Sequence, residues 1–124
     1  KADAENQKGF ECYRVDDESE LASGLALGFV GVVAVEASSN WQRLDSNGVS
    51  GYSQGRGNHA VACVDVRFRN RFEFQIWNSW GSRFGQNGMC WNTWDNHLAA
   101  PNRYHAFYLI RAASGGEKPP EIRQ

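Results

Sequence analysis

The strongest constraint on the fold lies between residues 58 and 88. Two runs of alternating apolar and polar residues, His59–Phe68 and Phe72–Trp77, are separated only by Arg69, Asn70 and Arg71. A period of two in segments rich in Val, Phe and Trp is a strand pattern, and a short polar break between two such segments closes a hairpin. Antiparallel strands return the chain to its starting end. His59 leads the first run and Asn78 follows the second, so the pattern predicts that they meet at one edge of a sheet. An imidazole held by a carboxamide is half of a catalytic constellation; the other half is a nucleophile on an element of its own.

The flanking sequence extends the sheet. Residues 10–15 alternate as a strand, and one helix follows. Asp16 or Asp17 can cap it, Glu20 stands three residues after Asp17, and Leu21, Leu25 and Phe29 form a stripe with Ala22 and Ala26 before Gly28 ends the helix. Residues 30–37 are a valine-rich run that suits a buried strand. Residues 38–57 are punctuated by glycines, with Trp41 and Leu44 as anchors. Residues 89–94 and 106–112 supply two further strands. The sum is about six strands and one helix near the N-terminus, connected by hairpins and loops. It predicts a mainly β (α+β) fold, an antiparallel sheet rolled into a barrel. Residues 1–9 read as an arm or linker, 10–113 as the folded unit, and 114–124, with Gly115-Gly116 and Pro119-Pro120, as an exposed tail.

The 124 residues are one domain's worth of chain, and their formal net charge of -1 gives no field that favours nucleic acid or an anionic membrane. No apolar run approaches the roughly 20 residues needed to cross a bilayer, and the first residues lack an apolar signal core. Cys12, Cys63 and Cys90 form no CxxC pair, which argues against a disulfide framework or a thiolate zinc site and suits an intracellular or virion interior better than secretion. Each reads as a small core residue. His97 and His105 have no metal-ligand spacing, so neither a metal nor a cofactor is expected. Trp77, Trp80, Trp91 and Trp94 are expected to pack in the core rather than to form a stacking platform. Arg67, Arg69 and Arg71 are expected to form a solvated edge.

Two blocks carry a resemblance. Asn58-His59-Ala60-Val61, followed by Asn78-Ser79-Trp80-Gly81, Phe84-Gly85 and Asn87-Gly88, resembles the C-terminal half of papain-like cysteine peptidases, in which an (Asn/Asp)-His-Ala-Val motif and an Asn-Ser-Trp-Gly motif carry the catalytic histidine and its supporting asparagine. The helix ending at Gly28, the valine-rich strand and the glycine-rich approach to His59 occur in the family's order, so the similarity covers about residues 10–113. Phe84 stands where the family has tryptophan, and Met89 where it has an aromatic residue.

The resemblance implies catalytic roles for His59 and Asn78, support from Trp80 and Asn58, and substrate pockets near Ala60 and Val33. A cysteine attacks a carbonyl as thiolate, and an adjacent imidazolium lowers the thiol pKa enough to keep it ionised. Asn78 would fix the imidazole plane, and Trp80 would shield that bond from water. The family's nucleophile lies in a Cys-Gly-Ser-Cys-Trp-like motif of the other lobe, with an oxyanion-hole glutamine, and nothing in residues 1–57 matches either. The sequence therefore carries two expectations. The chain is a peptidase lobe, a fragment or subunit that acts on peptide substrates with a complementary lobe from the same precursor or another chain. The alternative is a catalytically silent module that serves as a binding or structural component of a larger assembly.

Overall fold

The computed structural model describes residues 5–7, 9–36, 43–53, 55–77 and 88–112. They form one antiparallel sheet with short helices packed on it. Strand β1 (Glu5–Gln7) lies within the stretch expected as an arm and pairs with β2 (Phe10–Val15). Helix α1 (Glu18–Ala26) and strand β3 (Val30–Val35) follow. The hairpin of β4 (His59–Phe68) and β5 (Phe72–Trp77) has the expected bounds. Strand β6 (Met89–Thr93) leads into a π-helical turn (Trp94–Leu98), helix α2 (Ala99–Tyr104) and β7 (Phe107–Ala112). The strand order is β1-β2-β7-β3-β4-β5-β6.

Local chemistry sets the ends of α1. Asp17 caps the helix by accepting from the Glu20 N–H at 2.9 Å, and the Glu20 carboxylate reaches back to the Asp16 N–H at 2.7 Å. At the other end Gly28 has φ +96°, Phe29 N–H bonds to Gly24 O, and Gly28 N–H bonds to Leu25 O. Those two bonds are a Schellman closure, which needs a residue that tolerates a left-handed backbone. Helix α1 then lies close on the sheet: a Cβ at Gly31 would stand 3.2 Å from Leu21 Cδ1, and one at Gly24 would clash with Leu109.

The core is on the α1 side. Gly31, Val33 and Val35 alternate inward on β3, with Val61 and Cys63 on β4, Phe74 and Ile76 on β5, and Leu109 on β7. Phe107 and Leu98, both 0% exposed, fill the end below the π-helical turn, where Trp94 meets Phe107 edge-on at 6.2 Å. Each such side chain contributes roughly 1.5–3 kcal/mol over its exposed state.

Two further features of these elements depart from the sequence reading. The π-helical turn and α2 are helical where no element was expected after β6. Pro101 sits in a helical stretch that runs on directly from the π-helical turn, and the Asn96 carbonyl five residues before it accepts from the Ser53 N–H at 3.1 Å instead. The arginine edge is also engaged: Arg67 Nε and Arg69 Nη2 each lie 2.6 Å from the carboxylate of Glu73, a residue 3% exposed. The hydrogen bond from Arg69, with that from Arg67, holds the Glu73 carboxyl below its ordinary pKa. Arg67 also stacks over Trp91 at 4.0 Å.

Candidate functional site

His59 opens β4, half-buried, directly opposite Val35 on β3. Three consecutive residues fix its approach. Asn58 N–H bonds to Val35 O at 2.9 Å. Gly57, at φ +95°, is packed so that a Cβ would lie 3.2 Å from both Ala34 Cβ and His105 Cδ2, and 3.3 Å from Pro101 Cβ. Arg56 places its guanidinium 4.5 Å from the Tyr104 ring centroid. The loop before His59 is thereby anchored to both β3 and α2.

Ala60 is exposed and pairs with Ala34, so the two share the outer face of the sheet. Val33 does not. It is 1% exposed and belongs to the core; Ala34, one residue on, has the outward parity. Asn78 and Trp80 lie outside the described residues. Strand β5 ends at Trp77, whose partner on β4 is Ala62, so the hairpin register carries β5 toward the end that bears His59.

The outer face continues as an apolar row. Tyr108, Val32, Ala62 and Trp77 are successive partners across β7, β3, β4 and β5, with Ala34 and Ala60 beside them. Trp77 is 55% exposed and Tyr108 37%. Trp77 therefore departs from the core position expected of it, whereas Trp91 is buried and Trp94 half-buried.

None of the three cysteines is placed to serve His59. Cys63 is four residues along the same strand, about 13 Å away. Burial pushes the Cys63 and Cys90 thiols up to about 12. Both are therefore protonated at neutral pH and weakly nucleophilic. They flank Ile76 on neighbouring strands in one row, two strand spacings or roughly 10 Å apart, which is beyond disulfide reach. Cys12 pairs with Ile110, which in turn pairs with Val30 at the far end of β3 from His59.

A second histidine cluster escapes sequence reasoning altogether. His97 Nε2 lies 3.0 Å from Ser50 Oγ, a contact that resembles a nucleophile and its base, between residues 47 positions apart. The protons argue otherwise. His97 Nδ1 accepts from the Thr93 N–H at 2.9 Å, so the ring proton resides on Nε2, where Gly51 O accepts it at 2.8 Å. Nε2 has no lone pair for the serine, whose hydroxyl donates to Asn92 Oδ1 at 2.9 Å. His97 is 1% exposed and burial lowers its pKa, so the cluster is a neutral structural knot tying residues 50–51 to β6. Asn92 Nδ2 finds no partner among the described residues.

Elsewhere a cleft of about 440 Å³ lies between α1 and the β2/β7 pair, floored by Leu27, Phe29 and Leu109 and flanked by Arg14 and Arg111. It is at the opposite end of the sheet from His59. Among the described residues no group of His, Cys, Asp and Glu could hold a metal ion, and no helix is long and apolar enough to cross a membrane.

No protein-family model and no curated protein matches the sequence. Among solved structures the chain is similar to digestive procathepsin L 3 of Tenebrio molitor larval midgut, with a TM-score of 0.56 and 23% identity. The match covers 79% of this chain and 34% of that one, so the chain spans about a third of its length. The likeness shows the fold: a mainly antiparallel sheet with short helices, arranged as in papain-like proteins.

Proposed function

We propose that the chain is the histidine-bearing lobe of a papain-like cysteine peptidase, with the thiolate and the oxyanion glutamine supplied by a complementary lobe from the same precursor or another chain. The observation that carries this reading is the coincidence, in a papain-like fold, of a half-buried His59 anchored at a strand end in register with core-facing Val35, and an apolar outer face that begins one residue on, at Ala60. Exposed apolar faces of this kind mark surfaces that another body covers. The complementary lobe is the occupant that would turn that face into a cleft, with peptide lying along Ala34 and Ala60.

In this reading the His59 imidazolium stabilises the incoming thiolate. The sulfur attacks the scissile carbonyl, and His59 gives its proton to the leaving amine as the C–N bond breaks. Water then attacks the acyl-thioester, His59 takes the water's proton, and the thiolate departs. Asn78 would accept a hydrogen bond from the second ring nitrogen, with Trp80 and Asn58 shaping the surroundings. The metal-free chemistry expected from the sequence is part of the proposal.

The test is peptide hydrolysis by the full-length protein. The expected outcome is that His59→Ala lowers kcat by about 10²–10⁴-fold with little change in KM. An unchanged kcat overturns the proposal. The apolar face equally suits a silent module buried against a partner in a larger assembly; assembly function that survives His59→Ala in a protein without hydrolytic activity favours that second reading.

A further inference from the structure

We propose that Arg56, held on the Tyr104 ring beside the His59 end of β4, selects substrate peptides that carry an acidic side chain close to the scissile bond; the inference rests on the peptidase reading above. Arg56 precedes His59 by three residues, so their Cα atoms lie within about 10 Å. The connection is not slack. Arg56 is stacked on Tyr104, Gly57 is wedged against Ala34, Pro101 and His105, and Asn58 is bonded to Val35. The position of the guanidinium relative to His59 is therefore set by the fold.

Its charge is available. Arg14, Arg67, Arg69 and Arg111 each pair with a carboxylate, whereas Arg56 is exposed and pairs with none among the described residues. Glu36, the acidic residue next to Val35, turns its carboxylate against Gly55 and toward the Ser53 hydroxyl, 3.4 Å away. It tempers the local potential without occupying the guanidinium. Stacking on an aromatic face leaves the in-plane N–H donors of an arginine pointing outward, the fork that matches a carboxylate. Tyr104 is itself 50% exposed, so the pair forms a shelf open to a ligand.

An exposed pair of this kind contributes about 0.2–1 kcal/mol, which corresponds to a preference of roughly 1.4- to 5-fold. The experiment compares kcat/KM of the full-length protein on peptide pairs that differ only by Glu or Gln at each position flanking the scissile bond. The expected result is a Glu preference of about three- to fivefold at one position, shrinking as salt is raised. The ratio falls to about one in Arg56→Gln, and persists in Tyr104→Phe, which keeps the ring. Cleavage with equal rates for every pair overturns the shelf and leaves the peptidase reading standing. If no peptide is cleaved, the peptidase reading fails and the shelf is judged by titrating the same protein with the paired peptides. Tighter binding of the Glu peptide, lost in Arg56→Gln, upholds the shelf, and equal binding overturns it.

Discussion

His97 shows how one side chain can couple this fold to pH without taking part in chemistry. Its ring is neutral, buried, and bonded at both nitrogens: Nδ1 takes the Thr93 N–H and Nε2–H serves Gly51 O. Burial lowers its pKa from the ordinary value of about 6.5, and the nearby Arg71 charge acts in the same direction. The unfolded chain therefore binds the proton first as pH falls. The stability that His97 contributes is complete above about pH 6.5 and is lost progressively as pH drops through the folded-state pKa. Urea denaturation over a pH series is expected to show this loss setting in as pH falls below about 6.5, matched by an NMR titration of the His97 ring below the ordinary histidine range. A ring that titrates at or above that range contradicts the hydrogen-bond assignment. Protonation would force Nδ1–H against the Thr93 N–H, which is the physical source of the penalty.

At the scale of elements, α1 is seated tightly on β7. Gly24 faces Leu109, and any Cβ there must displace that side chain. Gly24→Ala is expected to destabilise by about 1–3 kcal/mol by overpacking, despite the better helix propensity of alanine. The measurement is a double-mutant cycle in urea: Leu109→Val, which shortens the opposing side chain, should recover part of the loss, and strict additivity would rule out the clash as its cause. Elements such as α1 and the β4/β5 hairpin were legible in the sequence because their signals are local, a cap and a Schellman glycine in one case and two alternating runs in the other. Helix α2 was not, since Pro101 and Asn102 are poor helix formers and only packing makes that short segment helical. The inward face of Val33 was illegible for a different reason. Residues 30–35 are apolar on both sides of the strand, so the sequence has no period there, and only the register against β4 separates the core-facing Val33 from the outward Ala34. The contact between Ser50 and His97, 47 positions apart, left no local signal at all.

The whole molecule presents a papain-like lobe whose two sheet faces differ. One is closed by α1 and the π-helical turn; the other exposes Trp77, Tyr108 and Ala60, with Ala34 half-buried beside Gly57. Two of its cysteines are buried thiols with pKa values near 12, and the third is at the far end of the sheet from the histidine. None of these cysteines is therefore placed to serve as the nucleophile that the proposed peptidase reading requires. The general-acid role proposed for His59 thus depends on a thiolate that approaches the His59 end of β4 from elsewhere. Labelling with a thiol-directed vinyl sulfone or epoxide, followed by mass spectrometry, tests this most directly when applied to the 124-residue chain and to its full-length source. The expected result is labelling of the full-length form alone, at a cysteine outside residues 1–124, and lost in His59→Ala. Labelling of Cys12, Cys63 or Cys90 in the isolated chain, or no labelling of either form, would contradict it.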